Sequence, residues 1–177
     1  GFGLAASRAG PSSPVWFFRS ARSSRMPHSS IRVVDVYPYR LSGDRPEYLL
    51  LRRAPDTSYE GAWRMVGGKI RSGEAAWQTA RRELREETGC TPVRFWTVPS
   101  VNSFYEWQAD RVNLIPAFAA EVSGDVEDIA LDDEHDAHAW LPLDDAADRL
   151  GWPEQERLLR LVHSLLRDGI PPDLVIE

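Results

Sequence analysis

Gly68-Lys-Ile-Arg-Ser-Gly-Glu74, followed after seven intervening residues by Arg82-Glu83-Leu84-Arg85-Glu86-Glu87-Thr88-Gly89-Cys90, is the most informative stretch of this 177-residue chain. If residues 74–88 are helical, the spacing puts the carboxylates of Glu83, Glu86 and Glu87 on one face. Like charges at such spacing destabilise an exposed helix by a few tenths of a kcal/mol per pair. A hard divalent cation relieves the repulsion. Mg²⁺ takes carboxylate oxygens and keeps positions free for substrate phosphates. A solvated acidic helix would carry the same charges, but it would not require glycines at 68 and 89 or an arginine at 82.

Gly68, Glu74, Arg82, Glu83, Leu84, Glu86, Glu87 and Gly89 fill the pattern of the Nudix box without a gap, with Cys90 in its last aliphatic slot. The chain therefore resembles the Nudix hydrolases, MutT-like enzymes that cleave a diphosphate linkage in a nucleoside diphosphate joined to another group. The resemblance implies an α/β/α sandwich around a mixed sheet and a requirement for Mg²⁺, with Mn²⁺ as a substitute. It assigns metal binding to Glu83, Glu86 and Glu87 and to the backbone carbonyl of Gly68. Arg82 would hold a glutamate in place, and Glu74 would support the loop or the helix start. The bound metal would neutralise phosphate oxygens and lower the pKa of the attacking water.

A further acid in this family usually comes from a late loop. Asp132-Asp-Glu-His-Asp-Ala-His-Ala-Trp140 is the candidate, and the role of metal ligand or general base carries onto Glu134. His135 and His138 read as surface or strand residues, since Mg²⁺ prefers oxygen ligands. Arg52, Arg53 and Arg64 precede the box and are candidates to meet phosphates as bidentate donors. Trp63, Phe104, Tyr105 and Trp107 have faces on which a base can stack, although core packing is expected for at least half of them. Trp140 and Trp152 read as core.

The substrate class is less sharply marked. Val66-Gly67-Gly68 replaces the Pro-Gly-Gly common in the family. The Ser-Gln-Pro-Trp-Pro-type sequence of the nicotinamide-dinucleotide members is absent, as is a downstream proline of the ADP-ribose type. Tyr105 lies where dinucleoside tetraphosphate hydrolases can carry a tyrosine. The Glu134-His135…Trp140 segment and Trp152…Gln155 resemble the (deoxy)nucleoside and dihydroneopterin triphosphate pyrophosphohydrolases. The expected reaction is cleavage of a nucleoside triphosphate, such as dATP, to monophosphate and pyrophosphate. The alternatives are a dinucleoside polyphosphate or ADP-ribose hydrolase, a non-catalytic nucleotide-binding regulatory domain, and an RNA-end-processing enzyme with an Arg-rich arm.

Outside the box, a hydrophobic content of 42% suits a globular fold, and the length suits one domain. One cysteine permits no intramolecular disulfide and points to the cytoplasm. No apolar run has the length of a membrane span. A net charge of −6 argues against nucleic-acid binding through an overall basic surface. The expected partner is a small nucleoside polyphosphate, and the expected assembly a monomer or homodimer. Residues 1–34 hold five arginines and no acid, leaving 16 basic and 27 acidic residues, a balance of −11. Residues 1–30 are read as a disordered leader before a Nudix domain over 31–177. Met26 is a plausible start, with residues 1–25 as upstream or cloning sequence, although Arg- and Ser-rich composition also suits a transit peptide.

Turn chemistry and β-rich runs predict strands over 31–37, 48–53, 63–66, 93–98, 101–107, 112–122 and 137–143. Helices are predicted over 74–88, from 144 to about 150, and from Pro153 to about Asp168. Trp77, Ala80 and Leu84 should face the core beside the glutamate stripe.

Overall fold

The computed structural model describes residues 27–123 and 129–177. A mixed sheet of eight strands is covered by helices on both faces: β1 (His28–Ser30), β2 (Val33–Ser42), β3 (Arg45–Arg53), β4 (Trp63–Arg64), β5 (Val66–Lys69), β6 (Arg94–Glu106), β7 (Arg111–Glu121) and β8 (His135–Leu141). The helices are α1 (Ala76–Thr88), α2 (Leu143–Arg149) and α3 (Pro153–Asp168). This is the expected α/β/α sandwich.

The run Tyr48-Leu-Leu-Leu51 shows why β3 is central. Side chains alternate between the faces of a strand. Leu49 and Leu51 join Val34, Val36, Val66, Ala80 and Leu84 under α1. Tyr48 and Leu50 join Tyr37, Tyr39, Met65, Leu158 and Leu159 under α2 and α3. A strand buried on both faces reads as a continuous apolar run.

β2 and β3 pair only between Tyr39–Ser42 and Arg45–Tyr48. Beyond that they separate, and the segment 63–69 enters the gap. β4 pairs with β3 at Leu51 and Arg52, while β5 pairs with β2 from Val33 to Val36. The expected single strand over 63–66 is thus two short strands divided at Met65. The wedge lays Gly67 and Gly68 beside Asp35 and Val34, and carries the chain into α1. Gly89 closes that helix at φ 73°, its N–H donating to the Arg85 carbonyl; this conformation suits glycine.

Several expectations are corrected. His28–Ser30 form β1, paired in parallel with Arg111–Asn113, so the disordered leader expected over residues 1–30 does not include them. Residues 1–26, with the rest of that expectation, lie outside the described residues. The strands expected over 93–98 and 101–107 are one strand, β6, whose register slips between Thr97 and Val101. Pro99 lies in that interval and has no N–H for the ladder.

Trp77 does not face the core. It is 38% exposed, with the Arg81 guanidinium 5.6 Å from its ring. Trp152 is 37% exposed and meets Tyr59 edge-on. Phe104, Tyr105 and Trp107 are also exposed, so most of the four aromatic residues expected to divide between core and substrate do not pack inside. Trp140 is partly buried against the α1-side core, as expected. No helix among the described residues is long and apolar enough to cross a membrane.

Candidate active site

Arg82 organises one wall of the site. Its Nε and one terminal nitrogen grip both oxygens of Glu74, at 2.8 and 2.9 Å. Its other terminal nitrogen reaches Glu83 at 2.6 Å and Glu86 at 2.9 Å. A fifth bond goes to the Lys69 carbonyl at 3.0 Å. The guanidinium fork can satisfy several acceptors from one fixed plane. Arg82 therefore orders three glutamates rather than the one expected. Glu74 also accepts from Thr79 Oγ1 and from the Arg71 N–H, tying the loop to the start of α1. These donors, Arg82 foremost, hold its carboxyl at a pKa of about 2.

Gly68 lies directly against this wall. A Cβ there would fall 2.1–2.5 Å from the Glu83 carboxylate atoms. Only glycine lets that carboxylate approach the backbone so closely.

Glu87 lies deeper, 5% exposed. The Gly67 N–H donates to it at 3.4 Å, a long contact. Burial pushes its pKa up to about 8, and the charges of Glu83 and Asp132 push in the same direction. Burial also raises the Glu83 carboxyl, against the pull of Arg82. Crowded, desolvated carboxylates beside a side-chain-free backbone form a donor set suited to a hard divalent cation.

The facing wall comes from β3 and the segment that enters β8. Arg53 donates to Glu134 at 2.6 Å, and this bond chiefly holds the Glu134 carboxyl below its usual range. Glu134 is 62% exposed at its side chain. Asp132 meets the buried His135 Nδ1 at 2.7 Å. Burial lowers the His135 pKa, and the Asp132 contact opposes it. Ligand atoms of Glu87, Asp132 and His135 all lie within 4.8 Å of one another. Asp132 thus stands closer to the buried glutamate than sequence reasoning anticipated. It belonged to the quoted acidic segment, but nothing in that run distinguished it from Glu134.

Between the walls is a cleft of about 690 Å³. Glu83, Glu86, Glu87, Asp132 and Glu134 line it together with Arg53, Arg64, Lys69 and Arg71. Of the residues expected to bind substrate, Arg53 and Arg64 line this cleft, whereas Arg52, Trp63 and Tyr105 do not. Arg52 instead grips Asp136 with two bonds, at 2.7 and 3.1 Å. The Tyr105 hydroxyl donates to Asp110 at 2.8 Å. Trp63 lies under the guanidinium groups of Arg52 and Arg149. Lys69 and Arg71, inside the box itself, were missed; their side chains carry no signal beyond charge.

The family model of the NUDIX domain matches residues 29–162. The chain belongs to the Nudix family. It is 32% identical over 127 residues to an octanoyltransferase of Myxococcus xanthus, covering 68% of this chain and 33% of that protein. It is 35% identical over 98 residues to an 8-oxo-(d)GTP phosphatase of Mycolicibacterium smegmatis, covering 55% of this chain and 29% of that protein. The chain thus spans about a third of the length of these two relatives. It is 28% identical over 106 residues to the nucleoside triphosphatase NudI of Escherichia coli, covering 55% of this chain and 74% of that protein. Its fold is similar to that of a Caenorhabditis elegans Ap4A hydrolase, with a TM-score of 0.65 at 23% identity, covering 77% of this chain and 98% of the other.

Proposed function

We propose that this Nudix protein hydrolyses a nucleoside triphosphate, dATP being one example, to the monophosphate and pyrophosphate with Mg²⁺, and that Mn²⁺ can substitute. One observation carries the reading: a single cleft sets the Arg82-clamped glutamates beside a row of cations. Carboxylates alone would repel a polyphosphate, and cations alone would bind it without activating water.

Glu83, Glu86, Glu87 and the Gly68 carbonyl would hold the metal. When bound, it supplies positive charge against the phosphate oxygens and acidifies the attacking water. Arg64 and Lys69 have no ion pair among the described residues and are available to phosphate oxygens. Glu134, kept ionised by Arg53, is the acceptor for the proton of the attacking water. Water adds its oxygen to a phosphorus, the bridging P–O bond breaks, and pyrophosphate leaves with the bonding pair. A single, buried Cys90 suits a reducing cytoplasmic setting, and a small-molecule substrate requires no partner beyond a monomer or homodimer.

The test is a hydrolysis panel of NTPs, dNTPs, dinucleoside polyphosphates and ADP-ribose with Mg²⁺ or Mn²⁺, with products separated by ion exchange. Triphosphates giving monophosphate and pyrophosphate are expected. Turnover of dinucleoside polyphosphates or ADP-ribose alone would move the substrate class. Nucleotide binding without any turnover would assign a regulatory domain.

A further inference from the structure

A second cavity, of about 450 Å³, shares no lining residue with the metal-binding cleft. The cleft uses residues 33–35 at the start of β2, whereas this cavity uses Tyr39 and Leu41 near the strand's other end. Its floor is a row across three strands. Tyr39 of β2 stands opposite Glu121 of β7, and Glu121 opposite Arg94 of β6. Tyr39 places the row on the α3 side of the sheet. The next position along the row is Tyr48 of β3, which is fully buried and bonded to His163 Nδ1 at 2.9 Å. α3 ends at Asp168, and its last turn borders the cavity with Leu166.

Opposite charges at directly opposed positions of a ladder attract each other by up to about 1 kcal/mol. Glu121 and Arg94 hold such positions, yet neither has an ion pair among the described residues. Glu121 instead accepts from the Tyr39 hydroxyl at 3.3 Å, and that hydroxyl accepts from Trp96 Nε1 at 3.3 Å. Burial, above all, pushes the Tyr39 phenol up to about 12, so it remains a donor to Glu121. The Arg94 guanidinium has no hydrogen-bond partner among the described residues, and Arg45, which also lines the cavity, has no ion pair there. Arg167 is occupied by Asp168, with bonds of 2.8 and 3.1 Å. A carboxylate and a guanidinium thus stand side by side without neutralising each other, next to the apolar side chains of Leu41, Pro46, Leu166 and Ile170.

We propose that this cavity binds a free α-amino acid with a large apolar side chain. Its ammonium group would meet Glu121, and its carboxylate Arg94 and Arg45. A guanidinium can take a carboxylate through two parallel bonds. The C-terminal end of α3 carries partial negative charge and adds to the attraction for the ammonium. A polyphosphate would be repelled by Glu121 and by that helix end, and a simple cation would meet two arginines. A zwitterion answers both charges, and the leucine and isoleucine walls suit an apolar side chain. The volume falls within the range of small-molecule pockets, about 300–1,000 Å³. Binding here does not depend on what the metal cleft hydrolyses.

The rival role for the row is solubilising charge at the end of the sheet, which would not distinguish free from blocked amino acids. The experiment is calorimetric titration of the full chain with L-leucine, L-phenylalanine and L-tryptophan, and with the N-acetyl and carboxamide forms of each. The N-acetyl form lacks the ammonium, and the carboxamide lacks the carboxylate. At least one free amino acid is expected to bind about tenfold or more tighter than either of its blocked forms. This comparison needs no variant to fold. Arg94→Gln is expected to erase the preference over the carboxamide, and Glu121→Gln the preference over the N-acetyl form, with unchanged far-UV circular dichroism spectra. No saturable binding of any of the three amino acids at about 10 mM overturns the proposal. So does equal binding of free and blocked forms, or an unchanged preference in either folded variant.

Discussion

The two walls of the cleft hold their carboxylates in opposite ways. On the α1 wall, Arg82 contacts Glu74, Glu83 and Glu86 at once, all within eight residues of it in sequence. On the facing wall, acids have separate partners: Glu134 with Arg53, 81 residues away, and Asp132 with His135. The first wall is a shared clamp, so disturbing its centre disturbs every glutamate attached to it. The second is a set of separate pairs, of which only Asp132 and His135 approach Glu87 among the described residues. The first wall also contains Glu87, which is deeply buried and has no ion pair among the described residues.

This contrast ranks the expected effects of substitution. Glu87→Gln should lower kcat by about a hundredfold or more with an unchanged far-UV circular dichroism spectrum; wild-type turnover would remove Glu87 from the metal site. Arg82→Lys keeps the charge but loses the fork. It should cost about ten- to a hundredfold in activity and weaken Mg²⁺ affinity in calorimetry. A fully active Lys variant would mean that the clamp is only an ordinary surface pair. Glu134→Gln should reduce kcat by about tenfold without changing metal affinity. No change in rate would transfer the proton-accepting role to another acid, with Asp132 the first to examine.

The smallest effect is on stability. The folded protein holds a proton on Glu87 up to a pH of about 8, whereas an unfolded glutamate loses it near about 4.3. The proton-linked stabilisation is thus complete below the unfolded value and is lost as pH rises through the folded one. In EDTA, the Tm of wild type should fall relative to Glu87→Gln by a few degrees between pH 5 and pH 9. Mg²⁺ should reverse the trend by replacing the proton. A pH-independent difference, measured by scanning calorimetry in both proteins, would contradict the burial of this charge.

The same contrast explains what the sequence discloses. The Arg82 clamp is legible because helical spacing places nearby residues on one face, and Gly68 because one short loop returns it to Glu83. The alternating burial of Tyr48–Leu51 likewise follows from strand geometry. The facing wall is not legible in this way. Whether Asp132 or Glu134 approaches Glu87 depends on how the acidic segment enters β8, which local spacing does not encode. Glu121 and Arg94 meet only because β6 and β7 pair in that register, and Tyr39 joins them from β2. Trp77 has helical periodicity but lies where Arg81, not the core, covers its ring. Arg52 looks like a phosphate ligand until Asp136 is placed across the strand pair from it.

The most direct test is Mn²⁺ binding followed by electron paramagnetic resonance in three proteins: wild type, the triple variant Glu83→Gln/Glu86→Gln/Glu87→Gln, and Glu134→Gln. If the clamped wall holds the metal, the triple variant loses the bound-ion signal while Glu134→Gln retains it. Wild-type binding in the triple variant, or its loss in Glu134→Gln alone, would contradict the assignment of the metal to the Arg82 wall.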